Sequence, residues 1–315
     1  MGGTLCKIGS PLLSFLLCSL CTPLQIIYWY NIIGSLYEKE VRIIKILFWN
    51  IYNKNLISPL IDMIKENQLD IVSLAEAENL DITAILNHLK LSGNEWNDIQ
   101  ISPQNDIRVL AKKEIKIIPY KEDGHYSIYK IKKYDKVDCL LVVVHLLSKK
   151  TKSNEAQYNR ANDIARELNK YEQEFFENNE KRTIIVGDFN MQPYEAGICS
   201  GYGFNATMSA SHAAKKTRKI DGRTTYLYFN PIWALMGANK LVQGSYYNSG
   251  DKDDHAIYWY SFDSVLLRPC YIDKFNWDYF EIIEKTENHN FVPNTTIDKE
   301  KYSDHLPIKF EIIGG

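Results

Sequence analysis

The sequence of 315 residues has few cysteines, no excess of charge and no internal repeat, and each absence excludes a class of protein. Its six cysteines lack the doubled CxxC spacing of a structural zinc site and the density of a disulfide scaffold, so neither is expected. Acidic side chains number 39 and basic ones 37, which leaves no global field to attract nucleic acid or anionic lipid. Any binding of a polyanion must therefore depend on local clusters of cations.

The first 40 residues differ from the rest of the chain because they are nearly without charge. No charged side chain occurs in residues 8–37, a run longer than the roughly 20 apolar residues that cross a bilayer. Lys7 and the apolar stretch 11–21 are typical of a signal peptide, although Pro23 interrupts the run and no clear cleavage site follows. Residues 1–40 are interpreted as an export signal, a membrane anchor or a helix packed on the domain. The first two interpretations predict an exported or membrane-associated protein, and the third predicts a cytoplasmic one.

Residues 41–315 have the sequence pattern of one α+β domain, in which short β-branched runs alternate with polar stretches of helical spacing. A charged helix is predicted over 154–178, because Ile164, Leu168, Tyr171 and Phe175 recur at three- and four-residue steps. A second helix is predicted over 56–67. Strands are predicted over 41–49, 71–74, 107–111, 126–131, 140–145, 183–186, 262–267 and 308–313. Many strands with few helices predict two packed sheets with the helices outside.

Polar side chains stand where several of these predicted strands end. They are Asn50, Glu76, His145, Asp188 with Asn190, and Asp304 with His305. Each alone would most often be a turn residue, but together they fit one cleft at the ends of rigid strands. Carboxylates and an amide suit a hard cation such as Mg²⁺, while histidines suit proton transfer and stabilisation of phosphate charge.

The strings ILFWN, LAE, VVVHL, IIVGDFN, FDSVLLRP and SDHLPI, in this order, resemble the endonuclease/exonuclease/phosphatase superfamily. The resemblance is to its deoxyribonuclease I-like and neutral sphingomyelinase-like branches, and a YFNPIW string is similar to uncharacterised bacterial members. It covers roughly residues 43–313, so 41–315 are expected to form the catalytic domain. It implies a four-layer α/β/β/α sandwich of two packed, mainly antiparallel sheets. It also implies cleavage of phosphate esters with a divalent cation, Mg²⁺ or Mn²⁺.

The same resemblance implies a metal site and one departure from the family pattern. Glu76 matches the principal metal-binding carboxylate, Asn50 lies beside it, and Asp304 matches the second carboxylate. Glu78 is the alternative to Glu76. Ala75 stands where the family usually has Gln, which removes one polar contact near the metal.

Catalytic roles are implied in the same way. Asp188 and Asn190 match the pair that orients the attacking water, and His305 matches a general base or phosphate ligand that pairs with Asp263. His145 matches the second histidine of the deoxyribonuclease and sphingomyelinase branches. The expected reaction is in-line attack by water, without a covalent intermediate.

Candidate phosphate ligands are Arg108 and Arg160, for which surface ion pairs are the alternative interpretation. Tyr52 occupies the position where abasic-site endonucleases have Asp, which weakens a DNA-repair interpretation. Cations cluster in 215–223 and after His145, and aromatic residues cluster in 225–233 and 244–247. They would track a phosphate backbone and stack bases, or else form solvated loops and cover the sheet ends.

The sequence therefore predicts a metal-dependent phosphodiester hydrolase, with a nuclease acting on nucleic acid as the favoured interpretation. One alternative is a sphingomyelinase-like enzyme or a phosphatase, for which a phospholipid headgroup would be the substrate of a membrane-tethered form. Another is a catalytically silent binding module on the same fold, which the complete set of candidate residues argues against. No protein partner can be inferred.

Overall fold

The computed structural model describes residues 43–102, 105–133, 136–177, 180–238, 240–249 and 257–314. The predicted leader, residues 1–40 with the uncharged run 8–37, lies outside the described residues. Within the described ranges, no helix combines the length and the apolar character needed to cross a membrane.

The first sheet contains β1 (Ile43–Asn50), β2 (Ile71–Ala75), β3 (Trp96–Asp98), β4 (Arg108–Lys112), β16 (Glu281–Ile282) and β17 (Ile308–Ile313). Its strand order is β16-β17-β1-β2-β4-β3. Strands β1 and β2 are parallel, and the other neighbouring pairs are antiparallel. The parallel pair brings the carboxyl ends of β1 and β2 to one edge of the sheet.

The second sheet contains β5 (Ile117–Asp123), β6 (Tyr126–Lys133), β7 (Lys136–His145), β8 (Thr183–Asp188), β9 (Ala206–Thr207), β12 (Tyr228–Phe229) and β15 (Asp263–Leu267). Its strand order is β5-β6-β7-β8-β15-β12-β9. Strands β7 and β8 are parallel, as are β9 and β12, and the remaining pairs are antiparallel. Two small hairpins pair β10 (Thr217–Ile220) with β11 (Arg223–Tyr226), and β13 (Tyr246–Tyr247) with β14 (Trp259–Tyr260).

The helices are α1 (Ile57–Glu66), α2 (Ile82–Leu91), α3 (Asn154–Phe175), α4 (Ala196–Cys199), α5 (Ala210–Ala213), α6 (Ile232–Met236) and a 3-10 helix (Pro269–Lys274). Helix α3 begins after Ser153, whose hydroxyl oxygen accepts a hydrogen bond from the backbone N–H of Ala156 at 3.2 Å. Its apolar stripe includes Ile164 and Leu168, as the periodicity predicts. The helix therefore covers the outer face of the second sheet.

Alternating side chains of β7 divide the core into layers. Leu141 and Val143 belong to the apolar cluster that joins the two sheets. Val142 and Val144 point to the opposite face and belong to the cluster that contains Ile164 of α3. Helices α1 and α2 pack in the same way on the first sheet. The predicted α+β class with two packed, mainly antiparallel sheets is confirmed.

Gly187 in β8 allows an unusually close approach between the central strands of the second sheet. It is paired with Val144 of β7, directly before Asp188. A Cβ atom at this position would lie 2.0 Å from the backbone oxygen of Val144. Because that oxygen is part of the sheet backbone, it cannot move aside without disturbing the β7–β8 pair.

We expect Gly187→Ala to destabilise the domain by about 1–3 kcal/mol or more, since overpacking forces backbone shifts in a dense core. Urea denaturation followed by circular dichroism measures the change. Gly124→Ala is the control, because an added Cβ there meets nothing within 4 Å. Equal midpoints for the two variants would contradict the close approach at Gly187.

Candidate active site

The register of the second sheet places three candidate residues side by side at the end of its strands. His145 of β7 is the neighbour of Asp188 in β8, and Asp188 is the neighbour of Asp263 in β15. Because β15 runs antiparallel to β8, its first residue lies at the edge where β7 and β8 end. One rung of a rigid sheet therefore aligns an imidazole and two carboxylates.

The first sheet contributes the remaining candidates at its own edge. Asn50, the last residue of β1, pairs with Ala75 at the end of β2, and Glu76 follows directly. Glu76 has a positive φ of 49°, which ends the strand at that point. The Asn50 Nδ2 atom donates to Glu76 Oε1 at 3.0 Å. Glu78, the alternative to Glu76, is exposed and is not among the residues that line the cleft.

The segment 303–305 is fixed against β1 by two hydrogen bonds and braced by a third within the segment. The Ser303 hydroxyl donates to the backbone oxygen of Asn50 at 2.5 Å and accepts from the N–H of His305 at 3.0 Å. The indole N–H of Trp49 donates to the backbone oxygen of His305 at 2.8 Å. Ser303 thus supports the loop, and Asp304 and His305 are held at the same sheet edge as Asn50.

Asp188 lies at the centre of the assembled site and is 1% exposed. Its Oδ2 atom accepts from Asn190 Nδ2 at 3.0 Å and from Asn50 Nδ2 at 3.2 Å, and its Oδ1 atom accepts from the Asn190 N–H at 2.8 Å. The Nε2 atoms of His145 and His305 lie 4.0 Å and 3.8 Å from Oδ2. The two imidazoles therefore face the same carboxylate.

Each histidine is oriented by a carboxylate on its far side. His145 Nδ1 bonds to Asp106 Oδ2 at 2.7 Å, and His305 Nδ1 bonds to Asp263 Oδ2 at 2.7 Å. Such a bond orients the ring, favours its charged form and aims Nε2 at the cleft. The two histidines are thus held in the same way, although they come from different sheets.

The pKa of both histidines is raised. Burial opposes the charged form of His145, but the hydrogen bond to Asp106 and the charge of Asp188 outweigh it and raise its pKa to about 9. Burial also opposes the charged form of His305, but the charges of Asp263 and Asp188 raise its pKa to about 10. Both rings are therefore in the doubly protonated, positively charged form at neutral pH and present Nε2–H as a donor.

The carboxylate oxygens of Glu76 and Asp304 suit a hard divalent cation, while Asn50 turns its Nδ2 atom toward Glu76 and Asp188 and accepts the Tyr52 N–H with its Oδ1 atom at 3.0 Å. Asp304 Oδ1 is buried and has no hydrogen-bond partner among the described residues, which is the environment of a metal-binding oxygen. Atoms of Asp188, Asp263 and His305 also lie within 4.8 Å of one another. Since Asp263 and His305 are already bonded to each other, the oxygens of Glu76 and Asp304 are better candidates to hold a cation than this cluster.

The candidate residues open into a cleft of about 680 Å³. Glu76, His145, Asp188, Asn190, Asp304 and His305 line it, while Asn50 and Asp263 support the lining residues from behind. Tyr52, Lys149, Lys150, Tyr194, Tyr246 and Tyr260 extend the wall. Lys150 Nζ lies 3.7 Å from Asp304 Oδ2 and 5.8 Å from the centre of the Tyr246 ring.

Two predicted phosphate ligands lie elsewhere in the structure. Arg160 pairs with Asp123, which is the alternative foreseen for it. Arg108 lies on β4, where its charge acts on Asp98. Neither is among the described residues that line the cleft, so the geometry does not support their assignment. The cations of the cleft wall are Lys149 and Lys150 instead.

Asp106 is the site residue that the sequence analysis missed. It stands just before the predicted strand 107–111, and β4 runs antiparallel to β2. Its position at the start of an antiparallel strand places it at the same edge as the ends of the parallel strands. The available signal was therefore an acidic residue at the start of a predicted strand, as in Asp304 before β17.

The sequence matches no family model and no curated protein. Among solved structures, truncated TDP2 from Caenorhabditis elegans is similar, with 15% identity over 86% of this chain and 98% of that chain, and a TM-score of 0.53. An AP endonuclease from Archaeoglobus fulgidus has 13% identity, coverages of 85% and 98%, and a TM-score of 0.51. Humanized TDP2 from D. rerio has 15% identity, coverages of 85% and 98%, and a TM-score of 0.50.

These similarities agree with the observed fold, a layered α+β sandwich with polar residues gathered at one edge of its paired sheets. The chain has the deoxyribonuclease I-like fold of the endonuclease/exonuclease/phosphatase superfamily, which confirms the predicted resemblance at the level of the fold.

Asp106→Asn should remove the charge that orients His145 and lower turnover by roughly 10- to 100-fold, the usual effect of losing a partner behind a site residue. Nitrogen chemical shifts of the His145 ring should show a lowered pKa, because the Asp106 carboxylate that stabilises its charged form is gone, and a purely structural role would leave this pKa unchanged. Asp123→Asn removes a carboxylate paired with Arg160 outside the cleft and is the control. Wild-type turnover and an unchanged His145 pKa in Asp106→Asn would remove Asp106 from the site.

Proposed function

We propose that this chain is a divalent-metal-dependent phosphodiester hydrolase that cleaves nucleic acid by direct attack of water. One observation carries the proposal: both histidine–carboxylate pairs meet at Asp188, in the same cleft as the carboxylates of Glu76 and Asp304. A catalytically silent module has no need for two imidazoles aimed at one buried carboxylate. The similar fold of a protein whose name is AP endonuclease is consistent with this chemistry.

Glu76 and Asp304 are the residues that would hold the metal, and Asn50 beside them positions Glu76 through its Nδ2 atom. A bound divalent cation supplies charge neutralisation at the phosphate and its leaving oxygen. Asp304 gives the strongest support for this assignment. Its Oδ1 atom is buried without a hydrogen-bond partner among the described residues, and a bound cation would offset the cost of removing that oxygen from water. The choice between Mg²⁺ and Mn²⁺ is left to the assay.

Asp188 and Asn190 are suited to orient the attacking water. Asn190 has a φ of 51°, and its Nδ2 atom donates to Asp188 and to the backbone oxygen of Leu146 at 3.1 Å. These two hydrogen bonds of Nδ2 fix the orientation of the Asn190 amide and therefore of its side-chain oxygen. A water held between that oxygen and Asp188 would lose its proton to the Asp188 carboxylate, since the imidazoles nearby already carry theirs.

His145 and His305 are suited to stabilise negative charge on the phosphate. Their raised pKa keeps Nε2–H as a donor, and charge-assisted bonds to phosphate oxygens are stronger than neutral ones. Preorganised donors of this kind lower the barrier because they need no reorientation during the reaction. This develops the alternative in which His305 binds phosphate rather than acting as the base.

Nucleic acid is the substrate class that the cleft wall favours. Lys150 supplies positive charge beside the site and is flanked by the rings of Tyr52 and Tyr246, while Lys149 is paired with Glu195 at 2.6 Å. Aromatic faces stack bases of any sequence, at about 1–3 kcal/mol per base. The cleft wall therefore offers groups that can bind both the phosphates and the bases of a polynucleotide.

The proposal is tested by measuring hydrolysis of single-stranded DNA, plasmid DNA, RNA, sphingomyelin and bis(p-nitrophenyl) phosphate side by side with Mg²⁺ and with EDTA. We expect cleavage of nucleic acid and of the small diester, abolished by EDTA. Preferential hydrolysis of sphingomyelin would favour the lipid phosphodiesterase instead. No metal-dependent hydrolysis of any of the five substrates would contradict the proposal.

Glu76→Gln keeps the shape of the side chain but removes one of the two carboxylate charges proposed to hold the metal, so metal affinity and turnover should both fall by more than about tenfold. Titration calorimetry with Mn²⁺ measures the affinity independently of turnover. Glu78→Gln removes the same charge from an exposed position nearby. If Glu78→Gln is the impaired variant, the assignment of the two carboxylates must be reversed.

His145→Ala and His305→Ala should each lower turnover by more than about 100-fold, the low end for a group acting in proton transfer or charge stabilisation. The matched control is His88→Ala, because His88 lies on α2 and bonds to Lys65 at the surface. Thermal melts establish that each variant folds. Turnover within about threefold of wild type in either cleft variant would exclude that histidine from the reaction.

A further inference from the structure

A second groove lies beside the catalytic cleft, on the flank formed by β9, β10 and α6. It measures about 420 Å³, and its walls include Met208, His212, Lys215, Arg218, Leu227 and Trp233. None of the described residues that line it is acidic. The groove thus combines an apolar floor with a basic rim.

Two aromatic rings connect the groove to the cleft. Tyr194 lines the cleft and is 49% exposed, while Trp233 lines the groove. Their ring centres are 6.2 Å apart. Glu195, next to Tyr194, also lines the cleft, but its carboxylate is paired with Lys149 at 2.6 Å, so the charge of this acidic group is compensated along the path from one ring to the other.

The charges at the rim are available to a polyanion. Arg218 donates to the side-chain oxygen of Asn205 at 2.6 Å and to the backbone oxygen of Cys199, and both of these partners are neutral. Lys215 is exposed, and the loop that carries it also presents His212. In contrast, Lys216 pairs with Glu180 on another face. The basic run 215–223 is therefore divided, and only part of it faces the groove.

We propose that this groove is a distal subsite for a single-stranded nucleic acid whose scissile phosphate lies in the catalytic cleft. This inference rests on the proposed function and adds the form of the substrate. An unpaired strand exposes base faces, which Trp233 and Tyr194 can stack, and phosphates, which Lys215 and Arg218 can contact. A duplex keeps its base faces inside the stack, so it offers nothing to the two rings.

Lys215→Glu and Lys219→Glu form a matched pair for the test. Both residues are exposed cations near the β10–β11 hairpin, and both substitutions change net charge equally, but only Lys215 lines the groove. Binding of a fluorescent oligothymidylate of about 20 nucleotides is measured in EDTA by anisotropy, with its duplex for comparison. Hydrolysis of the oligonucleotide and of bis(p-nitrophenyl) phosphate is measured with Mg²⁺.

We expect Lys215→Glu to weaken oligothymidylate binding on the order of tenfold and to flatten its salt dependence by roughly 0.7 per lost phosphate contact. Its kcat/KM for the small diester should stay within about twofold of wild type, since that substrate does not reach the groove. Trp233→Leu should weaken binding of the single strand, and Trp233→Phe should retain it, because a phenyl ring still stacks.

Equal effects of Lys215→Glu and Lys219→Glu, or wild-type binding by Trp233→Leu, would overturn the subsite. Duplex binding as tight as single-strand binding would overturn the choice of substrate form. If neither DNA nor the small diester is hydrolysed, the proposed function fails, yet the binding arm still decides whether the groove holds a single strand.

Discussion

One rung of the second sheet determines the geometry of the whole site. It makes His145, Asp188 and Asp263 neighbours across β7, β8 and β15. Gly187 allows β7 and β8 to approach closely just before this rung, and Asp188 is buried at its centre. A buried carboxylate is tolerable only when bonded on several sides, and the amides of Asn50 and Asn190 provide those bonds.

The packing of the two sheets brings the remaining residues of the site to this rung. The first sheet brings Asn50 and Glu76 to the same edge, and the segment 303–305 is tied to β1 through Ser303 and Trp49. Because His305 arrives from this side and Asp263 from the other, their hydrogen bond also joins the two sheets at the site. The candidate site is therefore formed by the packing of the two sheets.

Much of this arrangement could be predicted from residue patterns. Long apolar strands such as β7 and β8 end in conspicuous polar residues, and the stripe of α3 has clear helical period, so their existence and order follow from the sequence. Edge strand β5 escaped prediction because only its first residue is buried, so it lacks the pattern of a buried strand. Asp106 escaped because its role depends on the antiparallel pairing of β4 with β2, a long-range contact that local sequence does not encode. An ion pair was the alternative interpretation for Arg160, but its partner Asp123 is distant in sequence and could not be identified from local patterns.

The central claim is that water attacks the phosphorus directly at the site around Asp188. Hydrolysis of a phosphodiester substrate made chiral by sulfur and oxygen isotope substitution tests this claim without reference to any single side chain. Direct in-line attack predicts inversion of configuration at phosphorus. Net retention would require a covalent enzyme intermediate, for which Ser303 is already committed to Asn50 and His305, and would contradict the account.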